Sequence, residues 1–109
     1  MESKLNYKFT KKAANDLDGI VRYIKIELEN PIAASNFIDC LLKVIDEIRI
    51  FPESGSFVNN EFLISKNIRK KPIKNYIMYY LYDSKNKIIF ILRIIYSKRE
   101  MSEILNHLF

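Results

Sequence analysis

Apolar residues recur with a helical period along the first half of the chain and with the spacing of strands along the second. Leu5 to Thr10 alternates weakly, which predicts a short strand, and Thr10 is a suitable N-cap for a helix after it. Ala13, Leu17, Ile20, Val21, Ile24 and Leu28 then fall on one helical stripe, with Asp16, Arg22, Lys25 and Glu29 mostly off it. Asn30-Pro31 reads as an N-cap followed by proline at the first helical position, where a missing N–H costs nothing, so a second helix starts there. Ala34, Phe37, Ile38, Leu41, Ile45 and Ile48 form its stripe, and Phe51-Pro52 ends it, with Gly55 in the loop beyond. Two helices of similar length with so short a break make an antiparallel hairpin.

Beyond Gly55 the period changes. Asn67 to Ile73 is a candidate strand, Tyr76 to Asp83 is strongly β-prone, and Lys87 to Tyr96 is rich in isoleucine. Asp83-Ser84-Lys85-Asn86 supplies turn residues for a hairpin between the last two. The near-continuous apolar run of the last strand calls for burial on both faces and a central place in the sheet. Met101 to Leu108 then forms a short helix or ordered tail. The expected fold is α+β: a single domain over residues 1–109, with an N-terminal helical hairpin packed on a small, mainly antiparallel β-sheet.

Composition narrows the function classes. The 109 residues are 49% hydrophobic and 28% charged, which suits one core and excludes disorder throughout. A single cysteine, Cys40, makes no internal disulfide and no zinc cluster, so a disulfide-free, metal-free protein is expected. No apolar run approaches the ~20 residues of a membrane span, and residues 1–10 lack a signal-peptide core, so a cytoplasmic location is expected. The net charge of +5 is uneven: Met1 to Glu61 carries eight Lys/Arg against ten Asp/Glu, and Phe62 to Phe109 ten against three. One basic surface facing a polyanion and a merely solvated basic face both fit this split.

Two clusters hold the candidate chemistry. Lys66 to Lys74 packs five cations into nine residues without an acid; alternation along a strand sends Arg69 and Lys71 to one face and Lys70 to the other. This segment reads either as a phosphate-contacting strip, with Arg69, Lys70, Lys71 and Lys74 as its members, or as lysine protection of an edge strand. Pro72 favours an edge or end position. The second cluster is Arg93, Tyr96, Lys98 and Arg99 at the end of the last strand. A guanidinium among isoleucines must either be paired with a carboxylate such as Asp39 or Asp46 or reach a groove. His107 is the sole histidine, and no nucleophile elbow, GxGxxG or GxxxxGK is present, which removes support for catalytic triads and nucleotide-binding loops. An enzyme built this way would act on a substrate bringing its own nucleophile, as RNA brings its 2′-hydroxyl.

Ala14-Asn15-Asp16-Leu17 with Ile20, Tyr23 and Ile24, Asn30-Pro31 with Ala33, Ala34 and Phe37, and Phe51-Pro52 with Gly55 occur in that order. Ile68-Arg69-Lys70, Asn75-Tyr76, Tyr79-Tyr80 with Asp83, and Arg93-Ile94-Ile95-Tyr96 followed by Arg99-Glu100 continue the series. In order, spacing and length the chain resembles the RelE/ParE superfamily of type II toxin–antitoxin toxins. The resemblance implies a cytoplasmic growth inhibitor held in check by a cognate antitoxin, and one of two activities. RelE-like and YoeB-like members cleave mRNA on the ribosome without metal or cofactor; ParE-like members poison DNA gyrase. On the first, expected activity, an mRNA interferase, the resemblance makes Lys70, Tyr96 and Arg99 catalytic, with Arg69, Lys71, Lys74, Arg93 and Lys98 binding RNA. The arginine that RelE-like and YoeB-like members carry after the Asn-Tyr pair is Ile77 in this chain, and the long helical hairpin is more ParE-like. The alternative is therefore a gyrase inhibitor without catalysis of its own.

Overall fold

The computed structural model describes residues 4–58 and 67–99. Strand β1 (Asn6–Phe9) leads into helix α1 (Lys11–Arg22), which runs on into a π-helical turn at Tyr23–Glu27. Helix α2 (Pro31–Ile50) follows, then strands β2 (Ser56–Phe57), β3 (Ile68–Ile73), β4 (Tyr76–Asp83) and β5 (Ile88–Tyr96). The five strands form one sheet in the order β1-β5-β4-β3-β2. Only β1 and β5 pair in parallel; the remaining pairs are antiparallel, so the mainly antiparallel sheet is as expected. The apolar β5 is interior, between β1 and β4.

Local chemistry accounts for most boundaries. Thr10 caps α1 by accepting from the Ala13 N–H at 3.1 Å, and Asn30 caps α2 by accepting from the Ala33 N–H at 3.0 Å with Pro31 at its first turn. Asp83 organises the β4–β5 turn: its Oδ2 accepts from Asn86 Nδ2 at 2.8 Å, and its Oδ1 from the Asn86 and Lys85 N–H groups. Those bonds, the Asn86 side chain's foremost, hold its carboxyl below the usual 3.8.

The core is split by the sheet. On the helix side Phe37, Leu41, Ile45 and Ile48 of α2 meet Ile73, Met78, Tyr80, Ile89, Ile91 and Ile94. Each fully buried side chain of this size contributes about 1.5–3 kcal/mol. On the opposite side Val58, Ile68, Tyr79 and Ile95 form a second cluster. The predicted α2 stripe is thus the buried one, except that Ile38 is only partly buried.

The first helix departs from expectation. A single α-helical stripe from Ala13 to Leu28 is broken at Tyr23, where the Leu28 N–H bonds to the Tyr23 carbonyl at 3.1 Å, five residues back. The wider turn brings Tyr23 and Leu28 into register; in an α-helix, at about 100° per residue, they would sit about 140° apart. Leu28, 55% exposed, therefore leaves the stripe predicted for it, while Ile24 stays packed against the helix-side core. The tail at Met101 to Leu108, with His107, and Lys66 lie outside the described residues. No helix among the described residues is long and apolar enough to cross a membrane.

Candidate functional site

The cationic strip divides as strand alternation requires. Arg69, Lys71 and Ile73 face the helices, while Lys70 shares the opposite face with Ile68. On the helix side the cations have protein partners. Arg69 donates from Nη1 to the Gly55 carbonyl at 2.8 Å and the Glu53 carbonyl at 3.0 Å, and its guanidinium lies 3.7 Å from the centre of the Phe57 ring. Lys71 Nζ meets Glu47 Oε1 of α2 at 2.6 Å. Both of these side chains pin the sheet to its surroundings. Pro72 lies beyond the stretch of β3 that the two-residue β2 covers, the edge position expected of it. Lys74 is exposed in the β3–β4 turn at φ 53°.

Arg93 is paired, and the acid is Asp16, neither Asp39 nor Asp46. Its Nε and Nη2 donate to the two carboxylate oxygens at 2.7 and 2.9 Å, and both side chains are mostly buried. Asp16 Oδ2 also accepts from the Ile94 N–H at 3.0 Å. The reason lies in the sheet. Strand β1 pairs with β5 only as far as Ile91, and β5 carries an irregularity in which Tyr79 pairs with Arg93 but Tyr80 with Ile91. Beyond β1 the edge of β5 needs another partner, and Asp16 supplies it. The spacing of Ala13, Asp16 and Ile20 puts this acid between the two buried residues of α1; that three-then-four spacing is the signal that marks it in the sequence.

Tyr96 and Arg99 lie on the helix side of the sheet, where β5 runs out. The Tyr96 ring packs edge-on against Tyr76 at 5.5 Å, and Tyr76 against Phe37 at 5.3 Å. Burial, then the neighbouring Tyr23 and Tyr96, raises the Tyr76 hydroxyl above its ordinary 10.0, so it is a neutral donor at physiological pH. Two clefts flank this pair of rings and share Tyr23. The larger, about 570 Å³, has Ile24, Leu28 and Phe37 on its walls and Lys74 and Asn75 at its rim. The smaller, about 290 Å³, runs between Asp16 and Arg99.

Of the eight side chains expected at the site, the structure brings Lys74, Tyr96 and Arg99 to these clefts. Arg69, Lys71 and Arg93 are engaged within the fold, and Lys98 is exposed in the turn after β5. Lys70 lies on the other face of the sheet, opposite Tyr79. Asp16, Tyr23 and Tyr76 were not among the expected site residues and belong to it. Among the described residues no three His, Cys, Asp or Glu side chains converge to hold a metal ion. Chemically, the clefts offer phenols, the amides of Asn15 and Asn75, the Asp16 carboxylate, an apolar floor and two flanking cations.

Comparison with known proteins agrees with the architecture. The family model described as ParE toxin of type II toxin–antitoxin system, parDE, matches residues 7–101. A chain of the chromosomal ParDE toxin–antitoxin system from P. aeruginosa superposes with a TM-score of 0.67 at 22% identity, covering 87% of this chain and 98% of that one. A chain of the RelBE2 toxin–antitoxin complex from Mycobacterium tuberculosis gives 0.59 at 15% identity, over 86% and 99%. A chain of the archaeal RelE–RelB complex from Pyrococcus horikoshii OT3 gives 0.58 at 16%, over 90% and 100%. At such identities the structures share a fold. No curated protein matches the chain.

Proposed function

Because the chain belongs to the ParE toxin family of type II toxin–antitoxin systems, we propose that it arrests growth by binding a protein target, DNA gyrase in the cytoplasm, without chemistry of its own. The observation that carries this reading is the placement of Lys70. RNA cleavage by general acid–base catalysis needs its acid, base and phosphate-stabilising cation within hydrogen-bond reach of one phosphodiester, about 3 Å from the reacting atoms. Lys70 lies on one face of the sheet, and Tyr96 and Arg99 lie on the other. Three of the remaining cations, Arg69, Lys71 and Arg93, are held by carbonyls or carboxylates of the protein itself.

The second reading, a ribosome-dependent mRNA endonuclease, draws on Tyr96, which has Lys74 on one side and Arg99 on the other. The two are separated in one preparation. The purified toxin is expected to inhibit gyrase supercoiling and to leave ribosome-bound mRNA intact. Cleavage by the wild-type protein that disappears in Arg99→Ala, with supercoiling unaffected, would establish the nuclease reading instead.

A further inference from the structure

Of the chain's two glycines, Gly55 is enforced by its neighbours and Gly19 is not. Gly19 lies inside the continuous helical run from Lys11 to Glu27, exposed and without a positive φ. A Cβ added to it would meet nothing within 4 Å. Glycine in a helix interior is destabilising relative to alanine, and here neither conformation nor packing asks for it. A residue that breaks a local rule without a structural return marks a functional surface. Its place agrees: Gly19 lines the smaller cleft, about 290 Å³, together with Asn15 and Tyr23, which lie one helical turn to either side. The missing side chain makes a notch in that wall, at the level of the helix backbone.

The surroundings select what crosses the notch. Close approach to a helix backbone suits the main chain of another polypeptide, which a Cβ would hold off. The N–H groups of a helix interior are already bonded and offer a phosphodiester nothing. Charge points the same way, since the lining carries one acid and one cation rather than a cationic strip. Asp16 is taken up by Arg93, whereas Arg99 is exposed and has no ion pair among the described residues. The group that complements a free guanidinium is a carboxylate. We infer that the protein target crosses α1 here, its main chain over Gly19 and an Asp or Glu side chain on the Arg99 guanidinium. Such a contact rests on the gyrase reading above and locates the target against α1 and the end of β5.

Gyrase supercoiling assays and thermal melts on the purified chain test it together, because stability and activity are expected to move in opposite directions. Gly19→Ala should raise the melting temperature by about 4 °C and yet weaken inhibition several-fold. The bulkier Gly19→Leu should weaken it at least tenfold while melting no lower than wild type, and Arg99→Glu should weaken it as much. Ala14→Leu adds comparable bulk at another exposed position of α1, outside the cleft, and leaves inhibition unchanged. If wild type inhibits gyrase and folded Gly19→Leu inhibits equally well, nothing crosses α1 at this point, and the contact is overturned with the gyrase reading intact. If Gly19→Ala melts below wild type, the glycine serves the fold and the contact is again overturned. If wild type does not inhibit supercoiling, the gyrase reading falls and takes the contact with it. Ribosome-bound mRNA cleavage that is lost in Gly19→Leu, with supercoiling unaffected by any variant, would assign the notch to nucleic acid.

Discussion

Tyr80 does at the residue scale what no pattern of apolar positions announces. Its hydroxyl accepts from the Gly55 N–H at 2.9 Å and donates to the Pro52 carbonyl at 2.8 Å, closing the connection after α2 onto the sheet. The approach is so close that a Cβ on Gly55 would lie 2.5 Å from that hydroxyl and 2.8 Å from the Lys70 carbonyl, which is why a glycine stands there. Arg69 completes the clamp through Gly55 and Phe57. Tyr80→Phe strands the Gly55 N–H in the interior and is expected to cost about 1–3 kcal/mol, read as a lower denaturant midpoint in urea. In the sequence Gly55 is a loop residue and Tyr80 a β-former, 25 positions apart, and nothing local says that they meet.

Elements rather than single residues explain Asp16. Strand β1 stops pairing at Phe9, and α1, whose cap Thr10 also donates to the Leu92 carbonyl at 2.9 Å, is laid along the vacated edge of β5. Asp16 then serves as a strand partner for Ile94 and as counter-ion for Arg93. Asp16→Ala leaves a mostly buried guanidinium and a backbone N–H without that carboxylate, with an expected loss of about 3 kcal/mol. Asp39→Ala, on an exposed turn of α2, should change stability by less than about 0.5 kcal/mol; equal losses in thermal melts would mean that the edge contact contributes nothing. The helix caps, the hairpin turn and the strand limits were legible because they depend on neighbours in the chain. The π-helical turn was not, since periodicity alone extends α1 smoothly to Leu28, and the widened turn shows itself only as a hydrogen bond.

At the scale of the whole molecule, the tyrosines link stability to pH. Burial raises the hydroxyls of Tyr76, Tyr79 and Tyr80 above 10.0, so the native chain keeps protons that the unfolded chain releases. The stabilisation is fully present below pH 10 and is lost as pH climbs through the raised values. The tyrosinate absorbance of these three phenols should therefore appear only with cooperative loss of circular dichroism; its appearance without unfolding would contradict it. The sequence by itself determined the α+β class, the order of elements apart from the two-residue β2, the interior place of β5 and the family resemblance, because burial periodicity, capping and turn chemistry act over a few residues. It also showed a basic second half, without saying which cations were free. Tertiary structure decided that: pairing across the sheet gave Arg69, Lys71 and Arg93 partners 14 to 77 residues away, sent Lys70 to the far face, and left Lys74, Tyr96 and Arg99 around the clefts. Charge is a property of composition, but its availability depends on which carboxylates and carbonyls the fold brings within hydrogen-bond distance.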